Sequence, residues 1–255
     1  MHAPLINIAI AAARAGGKII MQAADRLSTV KIAEKKPNDF VTEIDQKVEK
    51  EIILHIKKAY PKHGIIGEEY GTQEGQVDYQ WIIDPIDGTR NFIHGFPYFA
   101  ISIAIMHKNK IEHGVVYDPV RQELFTASRG KGAQLNDRRI RVGQSKHLQT
   151  SLIGIGSPHA TNDFQKVMIA CGDARRAGAA ALDLAYVAAG RLDGFLEYHL
   201  RIWDIAAGIL LIKEAGGLVC DSDGGESYLK TGNVVAGNAA ILKQLLKVSR
   251  SAVRI

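Results

Sequence analysis

Cysteine is almost missing from this chain of 255 residues: only Cys171 and Cys220 occur, and they form no C-x-x-C pair. That excludes a disulfide framework and a thiolate metal site, and it fits a reducing, cytoplasmic setting. Neither sign of charge dominates, since 32 Lys+Arg against 27 Asp+Glu leave a net charge of +5. Such a balance favours anionic partners, phosphorylated small molecules among them, but falls short of a dedicated nucleic-acid binder. No run approaches the ~18 consecutive apolar residues of a membrane span, so no membrane partner is expected. Residues 3–13 are mostly apolar, yet they lack the basic start of a signal peptide. There is no Pro- or Ser-rich linker, low-complexity tract or internal repeat. We therefore expect one unit of two lobes, approximately 1–150 and 151–255, with a site in the cleft they share. What is present, 46% hydrophobic and 23% charged residues, is the composition of an ordinary folded protein.

Leu5, Ala9, Ala12, Gly16, Ile19 and Ala23 recur every three or four positions, with Asn7, Arg14, Lys18 and Gln22 opposite, which predicts a docked amphipathic helix. Thr42-Glu43-Ile44-Asp45 resembles a capping box, and Val48, Ile52, Ile56 and Ala59 continue it as a second helix stopped by Pro61. A polar segment around Lys35-Lys36-Pro37-Asn38 joins the two. Short apolar runs at 64–67, 81–83, 99–106, 111–117, 123–127 and 140–142, separated by turn residues, then read as an antiparallel meander. Beyond residue 150 strands alternate with helices: strands at 152–155, 192–197, 218–221 and 234–237, helices near 162–171, 179–189 and 203–215, and a last helix capped by Asn238.

The chemistry sits in acidic residues at the ends of these elements. Trp81-Ile82-Ile83 runs into Asp84-Pro85-Ile86-Asp87-Gly88-Thr89, so two carboxylates and the Ile86 carbonyl converge where a strand gives way to a turn. Hard oxygen donors of this kind suit Mg²⁺, whose shell is usually completed by water and substrate phosphate. Taken singly, each part has a plainer explanation: D-x-x-D-G shapes a turn, Glu68-Glu69 forms a solvated edge, and Asp204 caps a helix. Together, Glu68, Asp84, Asp87 and Asp204 supply enough carboxylates for two or three divalent ions.

In this order and spacing, Asp39-Phe-Val-Thr-Glu-Ile-Asp45, Gly67-Glu68-Glu69, Trp81-Ile-Ile-Asp84-Pro-Ile-Asp87-Gly-Thr89 and Trp203-Asp204-Ile-Ala-Ala-Gly with Glu214-Ala-Gly-Gly217 resemble the inositol monophosphatases, bacterial members above all, of the lithium-sensitive, Mg²⁺-dependent phosphatase superfamily. The resemblance implies an α/β fold, a five-layer αβαβα sandwich of the inositol monophosphatase / fructose-1,6-bisphosphatase type, commonly homodimeric. It implies hydrolysis of myo-inositol 1-phosphate by metal-activated water. Glu68, Asp84 and the Ile86 carbonyl match one Mg²⁺ site; Asp84, Asp87 and Asp204 match another. Thr89 and Glu68 match the groups that activate the water, and Asp45 matches the partner of that threonine, although a helix cap explains Asp45 as well. Ile86, Asp87, Gly88, Thr89 and Asp204 match contacts to substrate, Arg175, Gly178, Ala179 and Ala180 line the polyol pocket, and Glu197 receives its hydroxyls.

Three features depart from the pattern. Arg90 follows D-G-T where relatives more often carry a small or uncharged residue, Glu34 replaces a lysine near the metal loop, and the segment 156–173 is short for its place in the dimer. Related superfamily activities, on 3′(2′),5′-bisphosphonucleotides, fructose bisphosphate, histidinol phosphate or NADP, share the same metal-phosphate core. A dehalogenase-type phosphatase would need D-x-D rather than the D-x-x-D seen here. A transcription-associated binding role, through Arg129, Lys131, Arg138, Arg139 and Arg141, is the non-enzymatic alternative; because no aromatic stacking motif interleaves this stretch, its residues read first as those of a hairpin.

Overall fold

The structure is a computed structural model that describes residues 4–36, 39–156 and 163–250. The first helix, α1 (Pro4–Ala24), buries Ile6, Ala9, Ala12, Ala13, Ile20 and Ala23. The expected Ala9, Ala12, Gly16 and Ala23 are on this inward face, whereas Leu5 and Ile19 lie on its flank, partly buried, with Ile6 and Ile20 taking the core positions. By length and composition α1 alone among the described helices is apolar enough to cross a bilayer, but its apolar face is packed against the second helix and the large sheet. The hairpin β1 (Ile32–Lys36) and β2 (Asp39–Thr42) was not legible in its charged sequence; Pro37 and Asn38 lie outside the described residues. Thr42 then starts α2 (Glu43–Ala59): its Oγ1 accepts the Ile44 and Asp45 amides, while Asp45 Oδ2 accepts the Thr42 amide, the reciprocal box the sequence predicts.

Eight strands form the large sheet: β3 (Gly64–Gly67), β4 (Gly71–Gln73), β5 (Tyr79–Asp87), then, after the short helix α3 (Thr89–Ile93), β6 (Ala100–His107), β7 (Lys110–Asp118), β8 (Glu123–Ser128), β9 (Gly132–Leu135) and β10 (Arg138–Arg139). Their order is β10-β9-β8-β7-β6-β5-β3-β4. From β5 to β10 the expected antiparallel meander holds, but β3 pairs parallel to β5, Gly67 opposite Ile83. The reason is β4, which takes the chain back along the edge before β5 begins. The expected strand at 140–142 is replaced by the β9–β10 hairpin, turned by Asn136 and Asp137 at φ 46° and 64°, the left-handed pair of a tight two-residue turn.

The second half supplies β11 (Leu152–Ile155), α4 (Asp163–Ala170), β12 (Asp173–Arg175), α5 (Ala180–Ala188), β13 (Gly194–Glu197), α6 (Ile202–Glu214), β14 (Leu218–Cys220), α7 (Tyr228–Thr231), β15 (Val234–Gly237) and α8 (Ala239–Arg250). The five strands order as β12-β11-β13-β15-β14. Asn238 Oδ1 accepts the Ala240 and Ile241 amides and caps α8 as expected.

Alternation along β6 shows how the layers are built. Ile101, Ile103 and Ile105 join the core beneath α1 and α2, whereas Ala100, Ala104 and Met106 face α5 and α6; a strand covered on both faces reads as a continuous apolar run. The helix α6 is buried around most of its surface, Ile205–Ile212 throughout, because a sheet lies on either side of it. A third core, with Ile153, Phe164, Val167, Ile241 and Leu245, closes α4 and α8 onto the far face of the small sheet. The result is the five-layer αβαβα sandwich.

Candidate active site

Parallel pairing of β3 with β5 carries the ends of both strands to the same edge of the sheet. Glu68 therefore leaves β3 beside Asp84, its amide donating to Ile83 O at 3.3 Å. The β5–β6 ladder bulges between Asp84 and Asp87, and Asp84 Oδ1 accepts the Ile86 amide at 3.0 Å, so both carboxylates turn out of the sheet. Gly88 follows at φ 92°. A Cβ there would sit 3.0 Å from Tyr98 O and 3.1 Å from Ala179 Cβ, so both the backbone angle and the space require glycine.

Asp87 reaches across to the second half of the chain. Its Oδ1 accepts the Ala180 amide at 3.1 Å and its Oδ2 the Ala181 amide at 2.7 Å, so it caps α5, whose own Ala179 provides no side-chain cap. Asp204 opens α6, with its Oδ2 accepting the Arg201 amide at 2.7 Å. Asn91 ties the two halves together by donating from Nδ2 to Tyr98 O at 2.7 Å and to Ala177 O at 2.8 Å.

The carboxyls crowd one another. Burial, then the charges of Glu68, Asp87, Asp204 and Asp45, push Asp84 well above the usual carboxylate range. Burial and Asp204 do the same to Asp87 against the opposing Ala181 amide. Asp204 rises to about 6 through burial, opposed by the Arg201 amide and a hydrogen bond with Asp84. Buried carboxyls that oppose one another's ionisation have the chemistry of a cation site, where a bound metal offsets the crowded negative charge. Among the described residues no three acidic, histidine or cysteine side chains are placed to hold a metal ion by themselves; Mg²⁺ is usually held by one or two carboxylates, with water and substrate phosphate completing its shell. Glu68, Asp84, Asp87, Asp204 and the Ile86 carbonyl fit that description.

Thr89 lies next to this cluster, its Oγ1 2.9 Å from both Asp45 Oδ1 and Ile86 O. Asp45 is buried, and burial raises its carboxyl against the hydrogen bonds of Thr42 and Thr89. An adjoining pocket of about 460 Å³ is lined by Asp87, Arg90, Asn91, Gly156, Arg176, Gly178, Ala180, Glu197, Leu200 and Asp204. Glu197, Gly178 and Ala180 thus line one pocket with Asp87 and Asp204, and Ala179 packs beneath them against Gly88. Arg175 does not line this pocket: it is exposed on β12 and paired with Asp173 at 2.6 Å, and its neighbour Arg176 lines the wall instead. A larger concavity of about 550 Å³ around Glu74, Asp78 and Lys108 contains none of these groups.

Sequence reasoning missed Glu49. It is fully buried on α2, one turn after Asp45, and its carboxylate accepts the amides of Glu69 at 2.8 Å and Tyr70 at 2.9 Å, fixing the turn that carries Glu68. An acid on the apolar side of an amphipathic helix was the available signal. Asp183 was missed too; it accepts the Tyr98 hydroxyl at 2.5 Å and anchors the segment that Asn91 grips.

The model of the inositol monophosphatase family matches residues 1–254. Nus factor SuhB of Pseudomonas aeruginosa is 50% identical, covering 95% of this chain and 94% of that protein. The crystal structure of extragenic suppressor protein suhB from Bartonella henselae superposes with a TM-score of 0.96 at 41% identity, covering 98% of this chain and all of that one. Thermotoga maritima IMPase superposes at 0.90 with 37% identity over 97% of each chain.

Proposed function

The chain belongs to the inositol monophosphatase family, and from that premise we propose that it is a Mg²⁺-dependent phosphomonoesterase acting on a small phosphorylated polyol, with myo-inositol 1-phosphate as the reference substrate. The observation that carries this reading is the meeting of Asp84 and Asp87 from β5 with Asp204 from α6 beside a pocket that also holds Glu197. When bound, Mg²⁺ supplies the charge that acidifies water and neutralises the phosphate oxygens. The protein's own groups do the rest. Thr89, donating to Asp45, keeps oxygen lone pairs free to orient a water molecule, and Glu68 accepts its proton. Asp87 fixes the start of α5, so that Gly178 and Ala180 present backbone to the polyol while Glu197 receives hydroxyls. A phosphate-release screen of purified protein across superfamily substrates, with Mg²⁺ and after chelation, tests this: inert esters throughout, or activity that survives chelation, overturns it. Lithium inhibition and a homodimer belong to the same reading.

A second role in transcription is favoured by one observation, the name Nus factor carried by relatives half identical over nearly the whole chain. Arg138 and Arg139 are exposed on the edge strand β10, whereas Arg129 pairs with Glu112 at 3.3 Å. Co-purification with transcription complexes, lost on reversing the charge of Arg138 and Arg139, tests it; binding that ignores those charges removes the proposed contact.

A further inference from the structure

Two arginines, to which the reading above assigns no role, line the pocket beside its acids. Arg90 comes from α3 of the large-sheet half, and Arg176 from the turn between β12 and α5. Each is the immediate chain neighbour of a residue in the bond that ties the halves together, Asn91 Nδ2 to Ala177 O at 2.8 Å, so the two guanidinium-bearing residues are pinned to one rim. Burial grades the wall. Asp87 is buried, Glu197 and Asp204 are partly buried, and Arg90 and Arg176 are exposed, which sets acids at the floor and two cations at the mouth.

We propose that Arg90 and Arg176 form an anion-reading rim that selects phosphomonoesters whose alcohol portion carries a second anionic group, a carboxylate or another phosphate. The inference rests on the phosphatase reading above and specifies its substrate class. The reacting phosphate and its hydroxyl-bearing carbon skeleton occupy the acidic floor, and the second anion projects outward to the rim. Guanidinium groups suit this task because they present planar forks of donors to either anion. The pocket's volume of about 460 Å³ lies within the range that encloses ligands larger than a minimal polyol phosphate.

The experiment compares kcat/KM in Mg²⁺ for matched pairs: glycerol 2-phosphate against 2-phosphoglycerate, which adds a carboxylate, and adenosine 2′-phosphate against adenosine 2′,5′-bisphosphate, which adds a phosphate. The expected result is a preference of about tenfold or more for the doubly anionic member of at least one pair, weakening as salt screens it. The pair that shows it names the anion. Arg90→Thr and Arg176→Ser should each lower that ratio, and Arg90→Lys should restore part of it; thermal melts establish that each variant is folded. Ratios near one in both pairs, or variants that slow both members equally, overturn the rim while leaving the phosphatase reading intact. Failure of the folded parent to hydrolyse any of the four esters, or myo-inositol 1-phosphate, overturns both.

Discussion

Thr89 and Asp45 are joined across the site: the threonine Oγ1 lies 2.9 Å from one oxygen of a carboxylate whose other oxygen caps α2. Asp45 is therefore both the helix cap and the partner of Thr89, and a double comparison separates the roles. Thr42→Ala removes the cap and the Thr42 hydroxyl's own hydrogen bond to Asp45 Oδ2 at 2.6 Å but leaves Asp45 Oδ1 facing Thr89, and should cost about 1 kcal/mol of stability. Asp45→Ala should cost a similar amount and in addition lower kcat at least tenfold, because the Thr89 hydroxyl loses the acceptor that orients it. Equal activity in the two folded variants would leave Asp45 as a cap and nothing more.

Glu49 predicts a second outcome. A Cβ added at Gly67 would lie 2.0 Å from Glu49 Oε1, so Gly67→Ala must displace the carboxylate from the Glu69 and Tyr70 amides. Leaving these part-buried donors without their acceptor costs on the order of 1 kcal/mol, and the turn carrying Glu68 should loosen. We expect a lower melting temperature and weaker Mg²⁺ binding in calorimetry. Glu49→Gln retains one acceptor oxygen and should be milder in both. A Gly67→Ala protein with unchanged Mg²⁺ affinity would show that this turn is held by other means.

These cases show which features the sequence made legible. Asp84, Asp87 and Asp204 were readable because each ends or begins an element with strong local signals: a buried strand, a glycine turn and an apolar helix. The α2 capping box was readable because it is contained in four residues. Parallel pairing of β3 was not, since register between separate strands depends on tertiary packing rather than on either strand's pattern. Arg176 rather than Arg175 faces the pocket for a similar reason: adjacent side chains in an extended segment point oppositely, and nothing local says which points inward. The hairpin around Arg129–Arg141 was readable as such, but its strands, β9 and β10, are polar and short, so the apolar run at 140–142 drew the expected strand past its true position.

Asp183 gives a prediction in pH. Burial raises its carboxyl to about 8, opposed by the hydrogen bond from Tyr98. The folded protein thus holds a proton that the unfolded chain releases near pH 4. Its contribution to stability is fully present below that value and is lost as pH rises towards about 8. Asp183→Asn keeps an acceptor for the Tyr98 hydroxyl and does not titrate. Melting temperatures of parent and variant should therefore converge, then cross in favour of the variant, as pH is raised from 5 to 9. Parallel curves would mean that Asp183 does not titrate in this range.

Asp204→Asn removes a negative donor while retaining an oxygen for the Arg201 amide, so α6 should still start correctly. Mg²⁺ affinity and turnover should fall by orders of magnitude. In chelator the variant should melt no lower than the parent, because one member of a crowded set of carboxyls is gone. Calorimetric Mg²⁺ binding equal to that of the parent would remove Asp204 from the metal site.

The last prediction concerns the nucleophile. An enzyme that forms a phosphoaspartate needs a carboxylate oxygen aimed at phosphorus, but both oxygens of Asp87 accept α5 amides, Asp84 Oδ1 accepts the Ile86 amide, and the Asp84 side chain is also hydrogen-bonded to Asp204. Thr89 Oγ1 directs its proton towards Asp45 and Ile86 O, which suits it to orient water, and among the described residues no imidazole is a hydrogen-bond partner to act as its base. Water is then the group left to attack. It forms the new P–O bond as the ester P–O bond breaks, and the departing alkoxide takes a proton. A single in-line displacement inverts configuration at phosphorus, whereas passage through a covalent intermediate displaces twice and retains it. Hydrolysis of a chiral, isotopically labelled phosphate ester should give inversion. Retention, together with a phosphoryl group trapped on Asp84 by rapid quench, would replace water with that carboxylate as the nucleophile and release Asp84 from its metal-holding role.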